Sequence, residues 1–208
     1  MWCHTAEGGG RIPLIDVVMH DEKQFVANVK TREVYVLQED DPHLISLKKG
    51  KSGSVMVSGI YDRHGRGPLC FVDEGDTIDA CHFSRMLEKD FLPFFKQRKK
   101  HVGLFDNAKP HVAFTTKATF FSLGLKKVKH CANSPDYNPI ELVWSRMQHM
   151  VQQNLPWGKN ITIAMLKKEI QRAWVACATS ELFEKDCMHV TDCMLKSLAC
   201  NGGNMYKK

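Results

Sequence analysis

SPDYNPIELVW, running from Ser134 to Trp144, holds a carboxylate at the head of an expected helix. Asn138 suits an N-cap, Pro139 the first helical position and Glu141 the third, a combination that stabilises a helix start by itself. Working back, 34 residues separate Glu141 from Asp106 in FDNAKPH, Phe105–His111. A further 84 residues separate Asp106 from Asp21 in HDEKQF, His20–Phe25. Three carboxylates are hard oxygen donors of the kind that hold Mg²⁺. Two such ions can clamp the attacking and leaving oxygens of a phosphodiester exchange. Each acid also has a plainer reading: a capping residue for Glu141, an Asx turn for Asp106 and a loop carboxylate for Asp21. Asp16 competes with Asp21 but sits inside an apolar run.

The blocks SPDxNPIE-x-x-W, DNA-x-x-H and the DE pair Asp21-Glu22 resemble the catalytic domain of Tc/mariner-type DNA transposases. These belong to the DDE/integrase group. The likeness runs from about Ile12 to the C-terminus. It implies an α/β fold, a ribonuclease H-like mixed β-sheet flanked by helices on both faces. It implies Asp21, Asp106 and Glu141 as catalytic ligands of two Mg²⁺ (or Mn²⁺) ions, with Asn107 and His111 in support. Water would cut a phosphodiester at an element end, and the freed 3′-hydroxyl would attack target DNA. Double-stranded DNA is the implied partner, with a homodimer, no membrane, no small-molecule cofactor and a nuclear location. Such transposases usually begin with helix-turn-helix modules; none precedes Ile12, which leaves a non-catalytic DNA-binding or dimerising remnant as the alternative. Lys109-Pro110, Tyr137 and Ser58 depart from the usual pattern, and none removes a ligand.

The 208 residues suit one compact domain, and the net charge of +6 is compatible with a polyanionic partner. Candidate DNA-contacting cations are Lys96, Arg98, Lys99 and Lys100 of KQRKK, with Lys109, Lys126 and Lys127. A solvated helix end explains KQRKK equally well. Eight cysteines with no C-x-x-C pair read as reduced thiols. No apolar run reaches the roughly 18 residues of a membrane span. Aromatic and basic residues do not interleave as in a single-strand stacking platform.

The expected organisation is a disordered or vestigial segment 1–11, then one domain over 12–208 with C-terminal helices from about 162. Ile12–Met19 predicts a buried strand ending at His20-Asp21, and short strands are expected at Val26–Val29 and Val34–Leu37. Ser54–Tyr61 and Pro68–Val72 predict a hairpin. Thr77–Lys100 is a helix by its aromatic period. Strands follow at His101–Phe105 and Leu125–His130, with a helix between them over His111–Leu123. The remaining helices are expected from Asn138 to about Gln153, over Thr162–Thr179 and over Glu181–Cys200. In Thr162–Thr179 a buried stripe of Leu166, Ile170, Ala173, Trp174 and Cys177 is expected; the last helix should be partly exposed.

Overall fold

A computed structural model describes residues 3–5, 11–26, 53–73, 76–131, 134–155 and 161–200. The two short strands expected between Val26 and Leu37 fall almost wholly outside these. The main sheet has five strands: β3 (Val18–Val26), β4 (Ser54–Asp62), β5 (Gly65–Phe71), β6 (Val102–Leu104) and β7 (Lys126–Lys127). Their spatial order is β5-β4-β3-β6-β7. The β3–β4 and β4–β5 pairs are antiparallel, while β6 runs parallel to both β3 and β7. This is a mixed sheet, as the family resemblance implies.

The chain enters the sheet later than the apolar run suggests. β1 (Cys3–Thr5) pairs antiparallel with β2 (Arg11–Pro13), so residues 3–5 are not structureless as expected. Leu14–Asp16 then forms a short 3-10 turn. Pro13 lacks an N–H for ladder pairing, which fits a strand ending there. β3 therefore starts at Val18 and places Asp21 within the strand, not at its end.

Alternation along β3 sorts its side chains between two cores. Met19 and Phe25 belong to the core under α5 (Ile140–Asn154), α6 (Ile163–Cys177) and α7 (Ser180–Ala199). Val18 belongs to the opposite core, with Phe83, Phe91, Phe105 and Phe120. That core is covered by α1 (Ala80–Met86), α2 (Leu92–Gln97), the short α3 (Lys109–Val112) and α4 (Phe114–Ser122). Helices thus lie on both faces.

The helix expected over Thr77–Lys100 starts at Ala80, where the Asp79 side chain accepts from the His82 N–H at 2.7 Å. Its middle, Leu87–Phe91, loosens into a π turn just before Pro93. Proline has no N–H and its ring crowds the carbonyl one turn back, so a wider turn relieves the clash. The end closes on Lys99 in the left-handed region (φ 52°), with the Lys100 N–H on the Phe95 carbonyl. The helix expected over His111–Leu123 is split at Ala113, which is extended (ψ 151°). The α6 stripe Leu166, Ile170, Ala173, Trp174 and Cys177 is buried as expected. On α7, Phe183, Cys187 and Val190 are buried while Met188 and Leu198 are exposed.

Candidate active site

The strand register explains how Asp21 and Asp106 approach each other. β3 and β6 pair Val18 with Gly103 and Met19 with Leu104. The same offset carried two residues on brings Asp21 level with Asp106, just past the end of β6. Asn138 docks α5 on this strand end, its Nδ2 donating to the His20 carbonyl at 3.1 Å. Its Oδ1 lies only 3.5 Å from the Ile140 N–H, so the residue ties helix to sheet more firmly than it caps the helix. Glu141 follows in the first turn of α5. Asp21, Asp106 and Glu141 line one cavity of about 270 Å³, with Asn107, His130, Ser134 and Asn138.

Each acid is held differently. The buried Trp144 donates its indole N–H to Asp21 Oδ2 at 3.1 Å. Asp106 Oδ1 accepts from the Ala108 N–H at 3.0 Å and lies 2.5 Å from His111 Nδ1. The Glu141 carboxylate has no hydrogen-bond partner among the described residues, so a reciprocal capping box is not formed. Asn107 closes the loop by donating to the His130 carbonyl at 2.9 Å.

The DE pair divides between the two sheet faces. Asp21 faces Trp144, whereas Glu22 turns to the aromatic side and meets His111 Nε2 at 2.9 Å. His20, fully buried against Phe83, Phe91 and Phe105, contacts Ser58 Oγ at 2.9 Å. His20, Glu22 and His111 bring one donor atom each within 4.8 Å of one another. His111 therefore bridges two carboxylates, Glu22 and Asp106. Sequence reasoning singles out His111 and reads Trp144 as a core residue beside Val143 and Met147, which it is, but misses its bond to Asp21 and the places of His20 and His130. Ser58 stood out only as a departure, yet its hydroxyl is what meets His20.

The electrostatics follow from these contacts. Burial disfavours the ionised Asp106, but bonds from His111 and the Ala108 N–H outweigh it and hold the carboxyl at about 2. Burial likewise opposes charge on His111, but Asp106 and Glu22 raise it to about 9. Burial lowers His20 to about 4. Asp21 moves the other way: burial, then the negative charges of Glu141 and Glu22, push it far above the usual carboxylate range. The cavity thus gathers carboxylates that repel each other, an arrangement whose donor chemistry fits a hard divalent cation.

Stability should follow pH accordingly. His111, raised to about 9, stabilises the fold fully below its unfolded value of 6.5 and loses that contribution as pH climbs through 9. Asp21, also raised, stabilises most at low pH and loses its contribution as pH rises. Asp106, depressed to about 2, stabilises above 3.8 and loses this as pH falls through 2. The melting temperature in EDTA should therefore drop between about pH 6 and pH 9. Mn²⁺ should restore it more at the alkaline end, where the ligands are ionised. Thermal unfolding followed by circular dichroism checks this; a metal effect independent of pH would contradict it.

The suggested DNA contacts divide. Lys96, Lys99, Lys109 and Lys126 are exposed. Arg98 lies 3.8 Å from the buried Asp62, and Lys100 bonds Asp16 at 3.2 Å, so both also brace the fold. Lys127 is buried, and its Nζ donates to the Asp106 carbonyl, which makes it a support for the site loop.

Residues 16–164 match the family model described as DDE superfamily endonuclease. The chain belongs to this family. It is 27% identical over 171 residues to the Transposable element Tc3 transposase of Caenorhabditis elegans, an overlap covering 80% of the chain and 50% of that protein. The chain thus spans about half the length of the curated relative it matches. The fold is similar to the catalytic domain of Mos1 mariner transposase, with a TM-score of 0.66 at 18% identity over 92% of this chain and 85% of that one. It is also similar to the Mos1 mariner paired end complex with Mn, with a TM-score of 0.73 at 21% identity over 94% of this chain and 57% of that one. The Tc/mariner resemblance and the ribonuclease H-like fold read from the three blocks are both borne out.

Proposed function

We propose that this DDE domain cuts DNA phosphodiesters and joins the freed 3′-hydroxyl to a second DNA strand, as part of a transposase. The observation that carries this reading is the single cavity shared by Asp21, Asp106 and Glu141, three acids from three separate elements. Their oxygens would hold two Mg²⁺ or Mn²⁺ ions. Bound there, such ions supply Lewis acidity to the attacking and leaving oxygens. The chain's own residues do the positioning. Trp144 fixes Asp21, His111 and the Ala108 N–H fix Asp106, and Asn138 ties α5 to β3, with Glu141 lining the same cavity.

Two further points support the reading. The Mos1 neighbours include complexes with a transposon end and with Mg or Mn, which accords with DNA as substrate and a divalent metal as cofactor here. The net charge of +6 favours a polyanion. A nuclear location and a homodimer belong to the same proposal.

The test is nicking of a supercoiled plasmid by the purified chain. Open-circle product should form with Mn²⁺ or Mg²⁺ and not in EDTA. DNA binding without any metal-dependent nicking would instead leave a binding remnant.

A further inference from the structure

Beside the acidic cavity lies a second groove of about 690 Å³ between α4 and β7. The two share Asn107 and His130 in their linings, so they adjoin. The floor is apolar, built from Phe120, Leu125 and Val128. Its rim carries Phe121, which is 89% exposed, and one turn earlier Lys117. The opposite rim carries Lys126 and Lys129. None of the described residues lining it is acidic.

Phe121 is the unexplained feature. It follows the buried Phe120 and could have been spared exposure by any polar residue. Instead a phenyl ring stands in water in a groove that is also lined by Lys117, Lys126 and Lys129, with Phe114 (87% exposed) two turns back on the same helix. An exposed aromatic ring in a groove that also carries lysines suits a flat, apolar group carried on an anionic chain. Bases stack on aromatic rings whatever their sequence, and lysines follow the phosphates. A protein partner would more readily meet such a rim with carboxylates, and a helix docking there would bury three lysines. The groove adjoins the acid-lined cavity at Asn107 and His130, which argues for the DNA that the acids would cut.

We infer that the groove between α4 and β7 receives an unpaired base next to the cut site, stacked on Phe121, with Lys117, Lys126 and Lys129 against the neighbouring phosphates. The inference deepens the DNA-cleaving reading and rests on it. It assigns the α4 face a role in holding a frayed or single-stranded end as the duplex opens at the site. It also supplies the combined aromatic and basic platform that the linear sequence hides, since Phe121 and Lys129 come from different elements.

The experiment compares binding of the full chain to a labelled duplex with a short 3′ tail, bearing either bases or abasic sites. The parent should prefer the base-bearing tail by on the order of tenfold, the affinity one stacked base contributes. Phe121→Ala should bring that ratio to near one, and Phe121→Trp should keep it. Lys126→Ala should weaken both tails alike and flatten the salt dependence. The exposed Phe121 side chain makes misfolding of these variants a minor concern, and circular dichroism checks it. A preference that survives in Phe121→Ala, or a parent with no preference, overturns the inference. So does a parent dimer that Phe121→Ala converts to monomer in sedimentation, which would assign the face to a second copy. Plasmid nicking separates the two levels: nicking without base preference defeats the groove alone, and absence of DNA binding defeats both readings.

Discussion

Asp106→Asn is expected to lose about a thousandfold or more of the nicking rate, since a metal-held transition-state charge is worth several kcal/mol and each 1.4 kcal/mol is tenfold. The change keeps the side chain's shape. Asparagine's oxygen can still accept from the Ala108 N–H, now 3.0 Å from Asp106 Oδ1. What disappears is one negative charge in the cavity, together with the anionic partner that helps hold His111 at about 9. His111 should then titrate closer to the ordinary histidine range, visible in its ring proton shifts. Stability should change little. The Asp106 side chain is 42% exposed, and a solvent-screened pair contributes at most about 1 kcal/mol, or roughly 2–4 °C in melting temperature at this size. An unchanged Mn²⁺-dependent rate in the folded variant would defeat the assignment of Asp106 as a metal ligand.

Much of the fold is legible because its strongest periods are local. SVMVSGIY makes β4, and the α6 stripe lies where a 3.6-residue repeat puts it. The site was less evenly readable. The three acids come from motif blocks, and the structure gathers them around one cavity. Their supports do not show in one dimension. His20 meets Ser58 across 38 positions, and Glu22 meets His111 across 89. A buried histidine beside a strand acid looks like any polar residue until its partners arrive from β4 and α3. Lys127 misleads for the opposite reason: in sequence it is one of a run of surface cations, but strand alternation turns it inward to Asp106. The apolar run from Ile12 fails as a strand because Pro13 interrupts ladder pairing, so Asp21 is delivered from mid-strand.

Trp144→Ala should cost about 3–5 kcal/mol of stability, the usual loss for a large buried aromatic. The side chain is fully buried and joins three elements, α5, α6 and β4. Its ring stacks on Trp174 of α6, with centroids 5.4 Å apart and planes 26° from parallel. Below the pair, β4 passes so close that a Cβ on Gly59 would meet Trp144 Cη2 at 2.9 Å and Trp174 Cη2 at 3.3 Å. Removing the indole leaves a cavity that Trp174 cannot fill, because its own Nε1 is tied to the Gly67 carbonyl at 3.1 Å. At this chain length the loss corresponds to roughly 10 °C or more in melting temperature. Trp144→Phe separates packing from polar support. It keeps most of the ring contact but removes the N–H that Asp21 Oδ2 accepts at 3.1 Å. Its stability cost should be about 1–3 kcal/mol, and Asp21 should be less well fixed for a cation. Urea unfolding gives the first quantity, and Mn²⁺ titration by calorimetry gives the second. Parent-like Mn²⁺ affinity in the folded Phe variant would show that the indole serves packing alone.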